Sequence, residues 1–390
     1  MIKAYEFCKR VFDGTHDTPK PTEKGYKLLT SKHIENGTLN KENAYYISKE
    51  DYEAINKRSQ VKKWDILFSM IGTIGNTYLI ENEPIDFAIK NIGVFSCEDE
   101  YKAKWLYFYL QSPDAKKIIQ NYLNGAVQKF ISLGTLRNFP ISELNIKKNK
   151  IVDLLWNINK KIELNKKINS ELENMAKIIY DYWFLQFEFP NDEGKPYKSS
   201  GGKMVWNEEL KKEIPDGWEV TQIDSVLSVV PSTRKKLKKE YLSRGKYPVI
   251  DQSSVYISGF TNDEKAVLFL KDAVVFGDHT KIIKYINFDF CRGADGTQIL
   301  LSNRENLPNI LLYHQVKNLN LVSQGYSRYF KFLKEKQIIL PNFEIAKQFK
   351  ITSEKLYQKI RSNIFENQEL TSLRDYLLPL LMNGQVGFKD

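Results

Sequence analysis

The chain has 390 residues, which is too long for one ordinary core and predicts two or three domains. Hydrophobic residues at 42% and aromatic residues at 13% exclude a mainly disordered chain, because enough apolar surface is present to offset the entropy lost on ordering. Lysine and arginine number 58 against 48 aspartates and glutamates, an excess that favours a polyanionic partner such as nucleic acid or an anionic membrane surface.

No segment predicts a membrane span or an export signal. No run approaches roughly 18 consecutive apolar residues, and the start MIKAYEFCKRVF has a lysine and a glutamate where a signal peptide has its apolar stretch. Cys8, Cys97 and Cys291 lie far apart, without the close pairs of a zinc site or the even number of a disulfide framework. We expect a cytoplasmic protein whose cysteines are core thiols.

Residues 1–145 predict a first globular domain with strands. Trp64, Ile66, Phe68 and Met70 alternate with other residues in WDILFSM, the spacing of a strand. A long helix follows over residues 146–188, periodic over about 149–187. With Ile151 at heptad position a, the a series is Ile151, Ile158, Asn165, Leu172 and Ile179, and position d holds Leu154, Ile168, Met175 and Tyr182.

Residues 189–203 are rich in Gly, Pro and Ser and predict an exposed connector, within a linker over residues 189–215. A second globular domain follows over residues 216–342, where the apolar run AVVF (273–276) predicts a strand equivalent to Asp65–Phe68. The chain closes with a second helix over residues 343–384, whose a series is Phe349, Leu356, Asn363, Leu370 and Leu377.

This order is an internal repeat. GAVQKFISL (125–133) returns in outline as GYSRYFKFL 200 residues later, and NSELENMAKIIYDYWF (169–184) aligns with NQELTSLRDYLLPLLM (367–382). Each helix of about 38 residues is about 57 Å long. Its apolar side must pack against another element, and the nearest candidate is the helix of the other copy. We therefore predict a mixed α/β (α+β) protein with a pseudo-two-fold repeat, in which the two helices form an antiparallel coiled coil.

Four residues are predicted to take part in the pairing of the helices: Asn165, Asn363, Leu172 and Leu370. Both helices place asparagine at the same a position, and an asparagine in an apolar seam pairs in only one register or orientation. The alternative is that both asparagines are solvated near a frayed seam.

The chain resembles the specificity subunits of type I restriction-modification systems. The resemblance is carried by VFDGTHDTP (11–19), DILFSMIGTIGN (65–76), GAVQKFISLGTLRNFPI (125–141), NSELENMAKIIYDYWFLQFEFP (169–190), GKPYKSSGGKMVWNEELKKEIPDGWEV (194–220) and NQELTSLRDYLLPLLMNGQV (367–386). It implies that each globular region is a target recognition domain for one half of a bipartite double-stranded DNA sequence. It also implies that the helices space these domains and bind two modification (methyltransferase) subunits, which restriction subunits join. The methyl donor and the nucleotide belong to those subunits, so no cofactor is implied here.

For the first domain we predict DNA contacts from exposed loops, because Arg and Lys suit guanine, Asn and Gln suit adenine, and glycine turns allow close approach. The candidates are Thr15, His16, Lys20, Ser69, Gly72, Thr73, Gln128 and Lys129. Two alternatives stay open: Gly72 and Gly75 suit a tight strand connection equally well, and His16 suits a role in stabilising its own turn.

For the second domain the candidates lie in a basic run and three loops. They are Arg234, Lys235 and Lys236, followed by Lys238 and Lys239; Asp278, His279 and Lys281; Arg292, Asp295 and Gln298; and Gln324, Tyr326, Arg328 and Tyr329. The basic run suits phosphate contact, which positions a protein without reading sequence, or a solvated face. The alternative for the last group is a hairpin whose tyrosines pack on the sheet.

Catalytic motifs are missing from the sequence, which has no phosphate-binding lysine loop, no dinucleotide fingerprint and no metal-spaced Cys/His set. Pro190, Asp192, Glu193 and Lys195 are the nearest imitation of a magnesium nuclease motif, and they lie in the linker. A self-contained nuclease and an RNA-binding scaffold are therefore the rival hypotheses to a non-catalytic DNA-specificity subunit.

Overall fold

The computed structural model describes residues 1–35, 37–123, 130–142, 149–321 and 328–387. The chain divides into two compact units: unit 1 comprises Met1–Glu163 and Asn367–Asp390, and unit 2 comprises Leu164–Glu366. Two long helices, Asn149–Tyr180 and Phe343–Met382, contribute residues to both units.

Unit 1 is built from short strands and helices. Its strands are β1 (Ile2–Lys3), β2 (Arg10–Asp13), β3 (Tyr26–Leu29), β4 (Ile34–Glu35), β5 (Thr38–Leu39), β6 (Tyr46–Ile47), β7 (Asp65–Ser69), β8 (Thr77–Leu79), β9 (Phe87–Ile89), β10 (Ile92–Ser96) and β11 (Pro140–Ile141). Its helices are α1 (Ala4–Phe7), α2 (Lys49–Ser59), α3 (Glu100–Gln111), α4 (Pro113–Leu123), α5 (Leu133–Arg137) and the first part of α6 (Asn149–Tyr180), with a 3-10 turn at Ser31–His33.

Unit 2 begins within α6, which continues as a π-helical turn at Asp181–Leu185. Its strands are β12 (Met204–Asn207), β13 (Lys212–Pro215), β14 (Glu219–Gln222), β15 (Tyr247–Ile250), β16 (Gly259–Thr261), β17 (Val267–Leu268), β18 (Ala273–Gly277), β19 (Ile283–Ile286), β20 (Phe290–Arg292), β21 (Thr297–Leu300) and β22 (Gln337–Leu340). Its helices are α7 (Asn309–Asn318), α8 (Tyr329–Lys334) and most of α9 (Phe343–Met382), with 3-10 turns at Ile223–Val226, Lys238–Glu240 and Glu264–Ala266.

The two units repeat one topology. In unit 1, β7 lies between β10 and β8 and is antiparallel to both; in unit 2, β18 lies between β21 and β19 in the same way. The parallel pair β3 and β9 corresponds to the parallel pair β15 and β20, and β1 with β11 corresponds to β14 with β22. The predicted equivalence of the strands at Asp65 and Ala273 is confirmed, as is the mixed helix-and-sheet class.

The central strand of unit 1 explains the density of apolar residues in DILFS. All five residues of β7 are buried because alternate side chains enter two different cores. Ile66 and Phe68 pack in the cluster that contains Trp105, while Leu67 packs in the cluster that contains Phe12. A polar side chain in β7 therefore has no face of the strand on which to meet water.

Asp65 opens this buried strand, and burial raises its pKa to about 6 from the ordinary 3.8. Between about pH 4 and pH 6 the folded state keeps a proton on Asp65 that the unfolded state has lost. The free energy of unfolding is therefore highest below about pH 4 and decreases as the pH rises to about 6. The loss at pH 7 is about 3 kcal/mol. We expect Asp65→Asn, which still accepts from the Lys62 N–H, to flatten this dependence and to raise the melting temperature at pH 7.

Thermal unfolding between pH 4 and pH 7 measures this effect. Asp192→Asn, an exposed substitution in the linker, is the matched control and should keep the pH slope of the parent. An Asp65→Asn variant with the parent slope would contradict the assignment of the slope to Asp65.

The core of unit 2 gathers rings from α6, α7 and α9. Phe349 is fully buried, and its ring centroid lies 5.0 Å from that of Phe184 and 5.7 Å from that of His314. His314 also stacks on Tyr180 at 5.3 Å, and burial lowers its pKa to about 3, so the imidazole is neutral at physiological pH. This histidine is a core aromatic residue rather than a ligand or a base.

The long helices run antiparallel in unit 2, where the asparagines of both helices are buried. Asn165 is 1% exposed and donates through Nδ2 to Glu366 Oε2 at 2.8 Å. Asn363 is 0% exposed and donates to Asn169 Oδ1 at 2.8 Å. Each asparagine is thus buried and bonds to the opposite helix. Leu172 and Leu370 are both half-buried.

The same antiparallel order holds within unit 1. Arg374 donates to Asn159 Oδ1 at 3.1 Å, and Asn367 Nδ2 donates to the carbonyl of Ile162 at 3.3 Å. In unit 2, Asn169 Nδ2 makes the corresponding bond to the carbonyl of Ile360 at 3.5 Å, since both members are displaced by 198 residues. The repeat therefore extends to the side-chain bonds of the helices.

The predicted d positions of α6 and its continuation are partly wrong. Met175 is 50% exposed and Tyr182 is 39% exposed. The buried residues that accompany the a series come four residues after it, not three: Leu155, Ile162 and Ala176. Apolar residues occupy both spacings in this sequence, so only packing decides which of them faces the core.

Among the described residues, no helix is both long enough and apolar enough to cross a membrane.

Candidate nucleic-acid interface

In unit 1, three segments that carry predicted DNA contacts meet at one end of the strands β2 and β7. The N–H of Ile131 donates to the carbonyl of Met70 at 3.0 Å, and Ile71 and Phe130 form an isolated antiparallel bridge. An open cavity of about 440 Å³ lies here, and its walls include Asp13, His16, Asn91, Met70, Ile71 and Phe130. The loops after β2 and after β7 and residues 130–132 before α5 therefore form one surface.

His16 and Thr15 shape the first of these loops. The His16 ring places Nδ1 at 2.7 Å from Asn91 Oδ1 and Nε2 at 3.0 Å from Asp13 Oδ2. The half-buried Thr15 accepts from the N–H of Asp17 through Oγ1 at 3.1 Å. Both ring nitrogens of His16 are engaged within the protein, which is the arrangement that the turn-stabilising alternative requires.

Ser69 closes the second loop and does not face solvent. Its buried Oγ donates to the carbonyl of Thr73 and accepts from the N–H of Asn76 at 2.9 Å. The predicted DNA contact by Ser69 therefore has no exposed atom to make it. Gly72, at φ +76°, and Thr73 form the exposed tip, and with the exposed Lys20 they stay predicted contacts.

In unit 2, Gln252 joins two of the predicted loops. Its Oε1 accepts from the N–H of His279 at 3.0 Å, and its Nε2 donates to the carbonyl of Asp295 at 2.8 Å. Gly296 is required beside it, because a Cβ at this residue would lie 2.6 Å from the His279 ring and its φ is +70°. GDHTK and RGADGTQ are thus parts of one surface.

Lys284 fixes the segment that carries Gln252. Its buried ammonium group donates to the carbonyls of Asp251 at 2.8 Å and Val255 at 2.5 Å. Burial lowers the pKa of Lys284 to about 8, and the charge of Asp251 opposes that shift. Sequence reasoning missed both residues, since Gln252 stands in an ordinary polar stretch and Lys284 stands inside the apolar strand β19.

Asp278 and Lys281 contact Leu321 and the first residues of α8. The buried Asp278 accepts from the N–H of Tyr329 through its carbonyl at 2.9 Å and from the N–H of Phe330 through Oδ1 at 2.8 Å. Lys281 donates to the carbonyl of Leu321 at 2.6 Å and lies 4.3 Å above the Tyr329 ring. Asp278 and Tyr329 are buried, so the structure gives them a packing role in place of the predicted contact with bases.

Arg292 and Gln298 bond to each other across the neighbouring turn. Arg292 donates through Nε to the carbonyl of Thr297 at 2.7 Å and through Nη2 to Gln298 Oε1 at 3.3 Å. Both side chains are half-buried, and burial lowers the pKa of Arg292. The pair therefore shapes the turn and offers only part of its donor set to a ligand.

The basic run divides into paired and exposed residues. Lys236 is 5% exposed and forms an ion pair with Asp263 at 2.6 Å, while Arg234 pairs with Glu240 at 2.5 Å. The ammonium group of Lys236 is buried and already bound to a carboxylate, so the predicted phosphate contact by Lys236 is wrong. Arg234, which is exposed although paired, stays a predicted phosphate contact together with the exposed Lys235, Lys238 and Lys239.

Four predicted contacts lie outside the described residues: Gln128, Lys129, Gln324 and Tyr326.

In each unit, one backbone hydrogen bond closes a turn after the central strand, β7 or β18. The bond from the N–H of Ile131 to the carbonyl of Met70 in unit 1 corresponds to the bond from the N–H of Tyr329 to the carbonyl of Asp278 in unit 2. The residue after the acceptor is Ile71 in unit 1 and His279 in unit 2. The residue before the donor is Phe130 in unit 1 and Arg328 in unit 2, a correspondence set by the hydrogen bond and shifted by two residues from the sequence alignment, which pairs Phe130 with Phe330. All four side chains are exposed.

The described residues hold no group of His, Cys, Asp and Glu side chains placed to bind a metal ion. In the linker, Glu193 pairs with Lys195 at 2.9 Å, and Asn191 Oδ1 accepts from the N–H of both residues. This acidic segment is an exposed turn. Repeated domains that present exposed loop side chains at the same edge define a two-domain recognition protein.

The comparisons with known proteins agree with that class. The family model described as the type I restriction modification DNA specificity domain matches the chain twice, over residues 15–174 and 215–373. Since these matches cover more than half of its residues, the chain belongs to the family of type I restriction-modification specificity subunits.

Two curated relatives and one solved structure show the extent of the similarity. The type I restriction enzyme MjaIX specificity subunit of Methanocaldococcus jannaschii is 24% identical over 320 residues, covering 75% of this chain and 71% of the relative. The HindI specificity subunit of Haemophilus influenzae is 22% identical over 414 residues, covering 84% and 88%. The crystal structure of a type I S subunit from M. genitalium shares the fold at a TM-score of 0.55 and 16% identity, covering 100% of this chain and 95% of that one.

Proposed function

We propose that this chain is the DNA-sequence-specificity subunit of a type I restriction-modification complex and has no catalytic site of its own. Each unit reads one half of a bipartite duplex DNA target. The observation that carries this proposal is the pair of turns that share one backbone bond but present Ile71 and Phe130 in one unit and His279 and Arg328 in the other. A shared frame with different exposed side chains suits two domains that read different bases.

The test is methylome sequencing of a host that expresses the chain with its modification subunit, with and without the chain. We expect a bipartite methylated motif that disappears when the chain is omitted. Exchange of residues 216–342 for those of a relative should change one half of the motif and leave the other half intact. A methylation pattern that is unchanged by both manipulations would overturn the proposal.

A self-contained nuclease is the rival, and a direct assay separates the two. The purified chain with magnesium and plasmid DNA should leave the DNA intact, because the described residues lack a carboxylate cluster that could hold the metal. We also propose a cytoplasmic location, where both the duplex and the partner subunits are found.

We propose that two modification subunits bind to repeated apolar faces of the helices. Met175 and Ile178 in unit 2 are 50% and 66% exposed, and their equivalents 198 residues later, Leu373 and Tyr376 in unit 1, are 46% and 64% exposed. Exposed apolar pairs of this kind mark protein contacts, and their repetition suits two copies of one partner. Restriction subunits would join through that complex.

We expect Ile178→Asp or Tyr376→Asp to leave one modification subunit bound in place of two, and the double substitution to leave none. A carboxylate placed in an apolar contact loses its hydration without gaining a partner, and this desolvation free energy exceeds the binding free energy of the contact. Native mass spectrometry of the assembled complex measures the stoichiometry. Gln358→Asp is the control, because Gln358 is exposed on α9, the helix that carries Tyr376, and this variant should still bind two modification subunits. Full occupancy in the double variant would place the docking surface elsewhere.

A further inference from the structure

Ile71 and Phe130 are apolar residues that the fold brings together and leaves in solvent. Ile71 is 47% exposed and Phe130 is 48% exposed, and the two residues form an isolated antiparallel bridge. Their neighbours in sequence, Met70 and Ile131, are buried and belong to the core. Burial of Met70 and Ile131 fixes the turn, so the exposed pair is not needed to close the core of unit 1.

The exposed pair lies on the wall of the 440 Å³ cavity beside the loop of His16. The polar groups of this wall are already engaged, since His16 bonds to both Asn91 and Asp13. The free surface that the cavity offers to a ligand is therefore mainly apolar, although it lies among the loops from which DNA contacts are predicted.

Unit 2 has different side chains beside the corresponding backbone bond. At the position of Ile71, two residues after the corresponding strand, it carries His279, and next to the donor of the bond it carries Arg328; both are exposed and have donors that suit base edges. The two backbone bonds measure 3.0 Å in unit 1 and 2.9 Å in unit 2. Side chains that differ in chemistry beside the same backbone bond have the properties of specificity determinants.

We propose that Ile71 and Phe130 are specificity-determining residues that contact the 5-methyl group of a thymine in the half-site bound by unit 1. The inference rests on the proposed function. The methyl group of thymine is the apolar group that the base edges present in the major groove, and apolar side chains are its usual partners. An exposed apolar pair at the edge of a base-reading surface therefore matches thymine better than guanine, cytosine or adenine.

The experiment uses the chain assembled with its cognate modification subunit and a duplex that contains the methylation motif. Each thymine of the two half-sites is replaced singly by uracil, which removes the methyl group and leaves the pairing edge unchanged. We expect one replacement in the half-site of unit 1 to weaken binding about fourfold, the value of one buried methyl-sized group. Replacements in the other half-site are the matched control and should not respond to substitutions at Ile71.

Ile71→Ala and Phe130→Ala identify the protein side of the contact. In both variants the sensitive thymine and its uracil replacement should bind equally, whereas Ile71→Val should keep most of the difference. Both residues are exposed, so the variants should unfold at the temperature of the parent. A difference between thymine and uracil that persists in both alanine variants would overturn the proposal.

The possible failures can be told apart. A complex that binds the motif no better than a scrambled duplex would refute the proposed function itself. Sequence-specific binding with no effect of uracil, or a half-site of unit 1 without thymine, would refute only the contact with the methyl group. Loss of modification-subunit binding in Phe130→Ala would identify the apolar pair as a protein contact and would also overturn the proposal.

Discussion

Phe349→Ala is expected to lower the free energy of unfolding of unit 2 by about 3–5 kcal/mol. Phe349 is fully buried at the start of α9, among rings from α6 and α7 that include Phe184 and His314. Truncation removes the transfer free energy of the ring and leaves a cavity that the surrounding aromatic residues can fill only partly. The effect should be large because these rings join the long helices to the core of the unit.

Urea or thermal unfolding, followed by the fluorescence of the nearby Trp183 and Trp218, measures this change. Phe343→Ala is the matched control, since Phe343 begins the same helix with its side chain 46% exposed. The control should lose less than about 1 kcal/mol. Equal losses in the two variants would show that helix propensity at the start of α9 matters more than burial of the ring.

Arg328→Ala is expected to weaken binding of the cognate duplex about 10-fold to 100-fold, from the loss of about 1–3 kcal/mol at one base pair. Arg328 is exposed at the equivalent turn of unit 2, immediately before α8. A guanidinium group binds guanine O6 and N7 with two hydrogen bonds, so its removal should relax specificity at a single position. The half-site of unit 1 should be read as before.

Binding to duplexes that vary each base pair of the motif in turn measures the change. Lys235→Ala is the comparison, because a phosphate contact by this exposed lysine should weaken all duplexes alike and lower the salt dependence by about one counterion. Unchanged discrimination at every position in Arg328→Ala, or a change in the wrong half-site, would contradict the assignment of Arg328 to base recognition.

The repeat and the helices could be predicted because their signals are local. Short apolar segments indicate the strands at Asp65 and Ala273, and periodic apolar residues indicate the helices. Both patterns can be recognised without knowing how the rest of the chain folds. The face of α6 could not be predicted in full. Leu154 and Leu155 both suit the seam, and only the packing of unit 1 selects Leu155 for full burial.

The candidate interface was predicted at the level of loops and only partly at the level of residues. The polarity of Ser69, Lys236 and Asp278 favours a surface position, but each side chain is buried and bonds to a neighbouring backbone or carboxylate group. Ile71 and Phe130 were missed for the opposite reason, since an apolar residue in a sequence suggests a core. Exposure depends on what the rest of the chain places above a residue, which residue type alone does not encode.

The sequence by itself determined the internal repeat, the alternation of strand-rich segments with long helices, and the family, because composition, periodicity and repeated segments are properties of the linear chain. Only the tertiary structure decided which loops meet and which of their side chains face outwards. Gln252 joins loops that are 27 and 43 residues away, and Ile71 meets Phe130 across 59 residues of chain. Such contacts depend on how the strands pair, and a surface for recognition exists only after they have paired.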